Sequence, residues 1–398
     1  MSKIVVVGGG FGGVEFVQRI SKMSKNVDIT LFEREGDQTF RTELHKFACE
    51  RIPPEAIKIP LSKILPPNVK LEKVAIDKVD LKGQKVFANG KSYDYDFLVV
   101  AAGSDPNFFG IPGMKENALS FWTIDDAVKI NSRIKQIFKD VKQIQDPAER
   151  QKMLTIVVGG GGFTGVELMG ELMEWVNKLC KENGILRKSV KLMIVEALPR
   201  ILPNIEKEEV VNKAIKYMNE HGVEIKTNSM IVNVTSEGLT LKSGDFIPTK
   251  TLIWSGGVQA NSFSNLLDLQ KDKRGRIIVN EYMETSDPHV YAIGDIASYV
   301  DKSNKPMPGL VESAMQSAEI AAHNIVATIN GKEKRPLNLN LHGNIVYIGK
   351  KYGVANIKSI GTFAGYRAII LKHLVNMQHM FHAGGFWLMW KYVKEQIL

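Results

Sequence analysis

Cysteine is almost missing: the 398 residues hold only Cys49 and Cys180. Two thiols so far apart exclude a disulfide framework, a C-x-x-C redox pair and a cysteine-rich metal centre. Histidine is thin as well, at eight residues. His45, His342, His373, His379 and His382 come without H-E-x-x-H spacing or a cysteine partner, so no metal site is expected. No leader with a basic start and an apolar core precedes the first strand pattern, because Met1-Ser2-Lys3 runs straight into Ile4. The chain is therefore expected to stay on the cytosolic side. A run of about 20 mostly apolar residues is also lacking, which excludes a conventional transmembrane helix. Acidic charge is in deficit: 43 Asp and Glu face 52 Lys and Arg, for a net charge of +9. That balance favours an anionic partner, whether nucleic acid, a phosphorylated cofactor or an acidic membrane face, and the even spread of Lys and Arg does not choose among them.

Glycine, by contrast, is placed with care. Gly8-x-Gly10-x-x-Gly13 follows the apolar run at 4–7, and Gly160-x-Gly162-x-x-Gly165 follows a second at 156–158. A strand, a glycine turn and a helix start bring backbone N–H groups and a helix dipole against a pyrophosphate. The first turn enlists Gly9, Phe11 and Gly12, and the second Gly161. Each unit also closes on an acid. Glu33, followed by Arg34, stands twenty positions past Gly13, and Glu196 ends the strand pattern at 190–195. A carboxylate there accepts from adenosine ribose hydroxyls and repels a 2′-phosphate, which favours NADH over NADPH. Three glycines near a strand are a weak signal singly, since a simple tight turn produces the same pattern. Agreement of strand, turn, helix and acid, found twice, makes two dinucleotides the better reading.

At 44% apolar and 24% charged residues, the chain is long enough for two or three globular domains. Apolar runs ending in small residues recur at 95–103, which includes Ala102 and Gly103, and at 251–257, which ends in Gly257. A further strand pattern at 289–295 ends in Gly294 and Asp295. The pattern predicts an α/β fold of two Rossmann-like domains, the first interrupted by the second: residues 1–113, then 114–250, then completion over 251–330. A C-terminal amphipathic region fills 331–398.

Taken together, the glycine turns, Phe40-Arg41-Thr42-Glu43-Leu44-His45, the stretch 101–113 with Asn107-Phe108-Phe109-Gly110-Ile111-Pro112-Gly113, the run 253–258 and Tyr291-Ala292-Ile293-Gly294-Asp295 resemble the two-dinucleotide-binding flavoproteins. Within these, the chain is similar over essentially its whole length to the type II NADH dehydrogenases, the single-chain NADH:quinone oxidoreductases. The resemblance implies FAD on Gly8, Gly10 and Gly13, with its ribose on Glu33, Thr42 nearby and Asp295 towards its ribityl and phosphate region. It implies NADH on Gly160, Gly162 and Gly165, with its ribose on Glu196. It places Glu167 near nicotinamide and flavin, although a helix N-terminal acid serves the dipole equally well. Relatives carry Ala-Gln-x-Ala-x-Gln beside the quinone pocket. Here Gln316 matches and Glu312 departs, so Glu312 is either a proton donor to reduced quinone, a sign of another acceptor or an ordinary helix acid. Lys350 and Lys351 fall where relatives line the quinone entrance, or form a solvated turn.

Phe363, Tyr366, Ile370, Leu374, Met377 and Phe381 recur at helical spacing, and Phe386, Trp387, Leu388, Met389, Trp390 and Tyr392 follow Gly384-Gly385 with Lys391 and Lys394 interleaved. Such a segment either lies in the headgroup plane of a membrane or packs on the protein or a second subunit. The expected protein is a monotopic, homodimeric enzyme at the cytoplasmic face of the cell membrane. It passes electrons from NADH through FAD to quinone without pumping protons and has no nucleic-acid partner. The alternatives are a soluble NADH-dependent reductase of a small electron carrier, a protein like the sulfide:quinone oxidoreductases that lacks their redox cysteines, and a redox sensor.

Overall fold

The chain is described by a computed structural model over residues 1–397. Its first sheet runs in the order Val290–Ala292, Phe97–Val100, Ser2–Val7, Val27–Phe32, Val69–Glu72, every neighbour parallel. A second parallel sheet follows the order Ala118–Ser120, Thr251–Trp254, Thr155–Gly159, Lys191–Val195, Val223–Lys226. Parallel strands buried on both faces read as unbroken apolar runs, and FLVV at 97–100 and TIVVG at 155–159 are buried throughout.

One boundary differs from expectation. Thr251–Trp254, assigned from sequence to the completing half of the first domain, pairs with Thr155–Gly159 and so belongs to the second sheet. All four residues are buried, the environment of an inner strand rather than of a connection. The outgoing and returning chain crossings then lie side by side, Ser104–Pro106 antiparallel to Val258–Ala260. The first sheet is completed by Val290–Ala292.

Two helices hold the first domain together. Phe11–Met23 packs along Val311–Ile329, where Ala318, Ala321 and Ala322 are fully buried and a Cβ on Gly12 would stand 3.5 Å from the Ala314 carbonyl oxygen. Small residues at that seam let the two backbones approach closely.

Beyond residue 342 come three antiparallel strands, Gly343–Tyr347, Gly353–Ile357 and Gly361–Ala364, and then the helix Tyr366–Gln396. Phe363, read from sequence as part of the helical stripe, is in the last of these strands, because Gly365 at φ 86° ends the strand before the helix begins. Gly384 and Gly385 leave helical geometry, the latter at φ 69°, and split the helix into two arms. No helix among the described residues is long and apolar enough to cross a membrane.

Candidate functional site

Both glycine turns are built alike. Gly8 has φ 104° and its ideal Cβ would lie 2.5 Å from the Ala101 carbonyl oxygen, while a Cβ on Gly13 would fall 1.9 Å from the Gly8 carbonyl oxygen. Gly160 has φ 108°, and a Cβ on Gly165 would fall 2.0 Å from the Gly160 carbonyl oxygen. The middle glycines, Gly10 and Gly162, face open space with nothing within 4 Å. Each begins a helix, Phe11–Met23 or Phe163–Asn183, whose first turn has no side-chain cap. Uncapped N–H groups at a positive dipole end, with an approach cleared of side chains, fit a dinucleotide pyrophosphate. The strand-end acids turn towards the glycines: Glu33 Oε2 accepts from Gly9 N at 2.7 Å and Glu196 Oε2 from Gly161 N at 2.6 Å. Glu196 Oε1 also accepts from Leu198 N. Arg34 is exposed beside Glu33, whereas Phe11 packs its ring on Phe40 and His379.

The wall of the first crevice follows from the strand ends. Ala102 leads into Gly103 at φ 72°, and Asp295 Oδ2 accepts from Ser104 Oγ at 2.8 Å. Gly294, at φ 68°, donates its N–H to Ser317 Oγ. Thr42 Oγ1 is buried without a protein partner, as fits a hydroxyl kept for a polar ligand. Gly257, at φ 143°, accepts from Asn107 N and has the Phe109 ring against it. Two residues that sequence reasoning did not select join this wall. The Arg41 guanidinium lies 4.6 Å over the Trp122 ring, whose Nε1 donates to the Ser104 carbonyl.

Behind the crevice lies a buried charged junction of three chain segments. Glu167, on the helix Phe163–Asn183, pairs with Lys372 of the C-terminal helix and accepts from Tyr347 N at 3.1 Å. Burial raises its pKa, countered chiefly by Lys372. Glu43 and Lys46, neither with any exposed side chain, pair with each other, and Glu43 Oε1 accepts from Asn376 Nδ2 at 2.7 Å. Arg51 pairs with Glu171. The Lys46 and Lys372 ammonium groups lie 4.3 and 4.2 Å from the Tyr347 ring centre, a cation–π arrangement joining two of the pairs. The sequence signalled Glu167 alone. Its partner is 205 residues away, a separation that no local pattern encodes.

The other candidates are engaged elsewhere. Glu312 pairs with the His342 ring and accepts from His342 N, and four residues on Gln316 exchanges two hydrogen bonds with the Asn340 backbone. Together they fasten the segment ahead of the Gly343 strand. Lys350 and Lys351 sit at an exposed turn, tied by Lys350 N to Glu174. Cys49 is buried at 4% exposure, and burial pushes its thiol well above the ordinary range, so it is no nucleophile.

Two glycine-turn domains with an acid at each strand end define a pyridine-nucleotide flavoprotein, and the family model for the pyridine nucleotide-disulphide oxidoreductases matches residues 2–318. A type II NADH:quinone oxidoreductase of Staphylococcus haemolyticus is 30% identical over 400 residues, covering 98% of each chain. The protein belongs to the type II NADH:quinone oxidoreductases. NDH2 of Plasmodium falciparum, solved in complex with NADH, shares the fold at TM-score 0.87 with 18% identity, over 100% of this chain and 98% of that one. A sulfide:quinone oxidoreductase of Aquifex aeolicus superposes at TM-score 0.78 with 19% identity, over 96% and 91%.

Proposed function

We propose that the protein oxidises NADH through bound FAD and delivers the electrons to a membrane quinone, without moving protons across the membrane. One observation carries the reading: two open, uncapped glycine turns, each at the end of a strand in a separate parallel sheet. Flavin supplies what side chains lack, acceptance of a hydride and release of electrons singly or in pairs. The protein's own groups bind and orient. Gly10 and Gly13 would present N–H groups to the FAD pyrophosphate, while Gly8, whose N–H is donated to the Phe32 carbonyl, keeps the turn tight; Glu33 would turn to the ribose, and Asp295, held by Ser104, would meet the ribityl and phosphate region. Ala102, Gly103, Gly257 and Gly294 keep backbone close, and Thr42 offers its free hydroxyl. Gly160, Gly162 and Gly165 take the NADH pyrophosphate, and Glu196 takes its ribose and disfavours NADPH. Glu167 would stand near the reacting rings, and Glu312 and Gln316, which hold His342 and the Asn340 backbone, would shape the acceptor side.

A quinone is lipid-borne, and the C-terminal helix supplies a face for lipid. Tyr366, Ile370, Leu374, Phe381, Phe386, Trp387 and Trp390 are all exposed, while Lys372, Asn376 and Met380 are turned inward. So many large apolar side chains left exposed on one helix suit an interfacial element. NADH places the enzyme on the cytoplasmic face; a homodimer is the assembly the resemblance implies.

Anaerobic stopped-flow absorbance tests the reading. NADH should bleach the flavin within the turnover time, and a menaquinone or ubiquinone analogue should restore its colour. A flavin that NADH reduces but neither quinone reoxidises would redirect the search to a protein electron carrier.

A further inference from the structure

Phe109 holds a backbone conformation that its side chain disfavours. At φ 52° it lies in the left-handed region, which glycine and asparagine adopt readily and a bulky residue does not. Core packing does not account for it, because the residue is 52% exposed. A strained and exposed aromatic residue points to a task other than packing. The turn that carries it is pinned to the second sheet's strand end. Asn107 N donates to the Gly257 carbonyl at 3.0 Å, Trp254 Nε1 donates to the Asn107 carbonyl at 2.8 Å, and Phe109 N donates to Asn107 Oδ1 at 2.8 Å. The Phe109 ring stands T-shaped to Trp254, with centres 6.4 Å apart, and a Cβ on Gly257 would lie 3.0 Å from its tip.

What the ring overlooks follows from the order of the second sheet. Its strands are all parallel, so their carboxyl ends share one edge, where sheets of this kind bind ligands. The glycine turn at 160–165 follows Thr155–Gly159, and Glu196 follows the neighbouring strand Lys191–Val195. With the pyrophosphate on that turn and the adenosine ribose on Glu196, the adenosine half runs to one side, and the nicotinamide half has to run to the other. On that other side stands Thr251–Trp254, continued by Ser255, Gly256 and Gly257. Gly256 abuts the turn, since a Cβ on Gly160 would fall 2.8 Å from the Gly256 Cα, and Phe109 closes over Gly257 one residue further on.

Resting on NADH at the second glycine turn, we propose that the Phe109 ring is the outer wall of the nicotinamide-riboside subsite. It covers that half of the dinucleotide, holds it in the crevice and keeps water from it. Contact with the ligand removes exposed ring surface from water, which favours the bound state. The left-handed turn is what sets so large a side chain at the lip of the crevice instead of in the core.

Phe109→Asn in the FAD-loaded enzyme is the test, since asparagine keeps the left-handed turn and removes the ring. Isothermal titration with NAD+, which leaves the flavin oxidised, should show affinity weakened about tenfold, whereas ADP, which lacks the nicotinamide riboside, should bind variant and wild type within about twofold of each other. In steady state the loss should fall on KM for NADH rather than on kcat, and Phe109→Tyr should restore wild-type values. The melting temperature of Phe109→Asn should stay within about 2 °C of wild type or rise, because the side chain removed is exposed and strained. Equal NAD+ affinity in variant and wild type overturns the proposal. An equal loss for NAD+ and ADP overturns it too, because the ring would then act on the whole crevice. A melting temperature lowered further than that, or failure to fold, assigns the ring to packing on Trp254 and overturns it equally. A wild type that binds neither NAD+ nor ADP overturns the assignment of NADH to the second turn and, with it, the subsite.

Discussion

At Gly13 the requirement for glycine is set by the protein's own backbone. A Cβ would fall 1.9 Å from the Gly8 carbonyl oxygen, so Gly13→Ala has to push the turn out of register. Expected is a folded protein whose FAD content, read from the ratio of flavin to protein absorbance, drops by roughly tenfold or more, because the N–H groups no longer converge. His379 supplies a pH prediction. Burial, with His382 adding, lowers its pKa to about 4, while the unfolded chain titrates near 6.5. The folded state therefore prefers the neutral ring. Its contribution is complete above about pH 6.5 and is lost as pH falls towards about 4, by on the order of 3 kcal/mol at most. His379→Phe should shrink the fall in melting temperature between about pH 7 and about pH 5; an undiminished fall would exclude His379 as its source.

Among the elements, the C-terminal helix is the one to which the proposed function gives two tasks, core packing and lipid contact. Removing it whole would strip Lys372 from Glu167 and Asn376 from Glu43, leaving buried carboxylates uncompensated, so truncation confuses unfolding with loss of lipid contact. Phe386, Trp387 and Trp390 are exposed and lie beyond the Gly384–Gly385 break. Changing all three to Ser should leave the melting temperature within about 2 °C, as exposed substitutions do. Cosedimentation with anionic lipid vesicles should fall by about tenfold or more as apolar insertion is lost. Retained vesicle binding would assign this face to protein contact instead.

Over the whole molecule, the buried junction ties the helical segment 41–51, the helix Phe163–Asn183 and the C-terminal helix together. Lys372→Met leaves the Glu167 carboxylate buried without its cation and should destabilise by about 3–5 kcal/mol. Glu167→Gln added to it should recover most of that loss, since a neutral amide needs no counter-ion. Denaturant unfolding of the two single variants and the double variant measures the coupling; additive losses would show that the pair contributes little.

Local chemistry was enough to reveal both glycine turns, their terminal acids and the two-domain interruption, because each depends on residues close in sequence: a strand, a steric need for no side chain, a helix start. Glu167, Asp295 and Thr42 entered as candidates only through the family resemblance of their motifs. Tertiary structure alone decided that Thr251–Trp254 joins the second sheet, that Arg41 stacks on Trp122, that Glu312 is bound to His342, and that Lys372, Lys46 and Arg51 meet three buried acids. Such pairings depend on which chain segments are brought together in space, and burial then sets their charge states, so neither spacing nor composition could announce them.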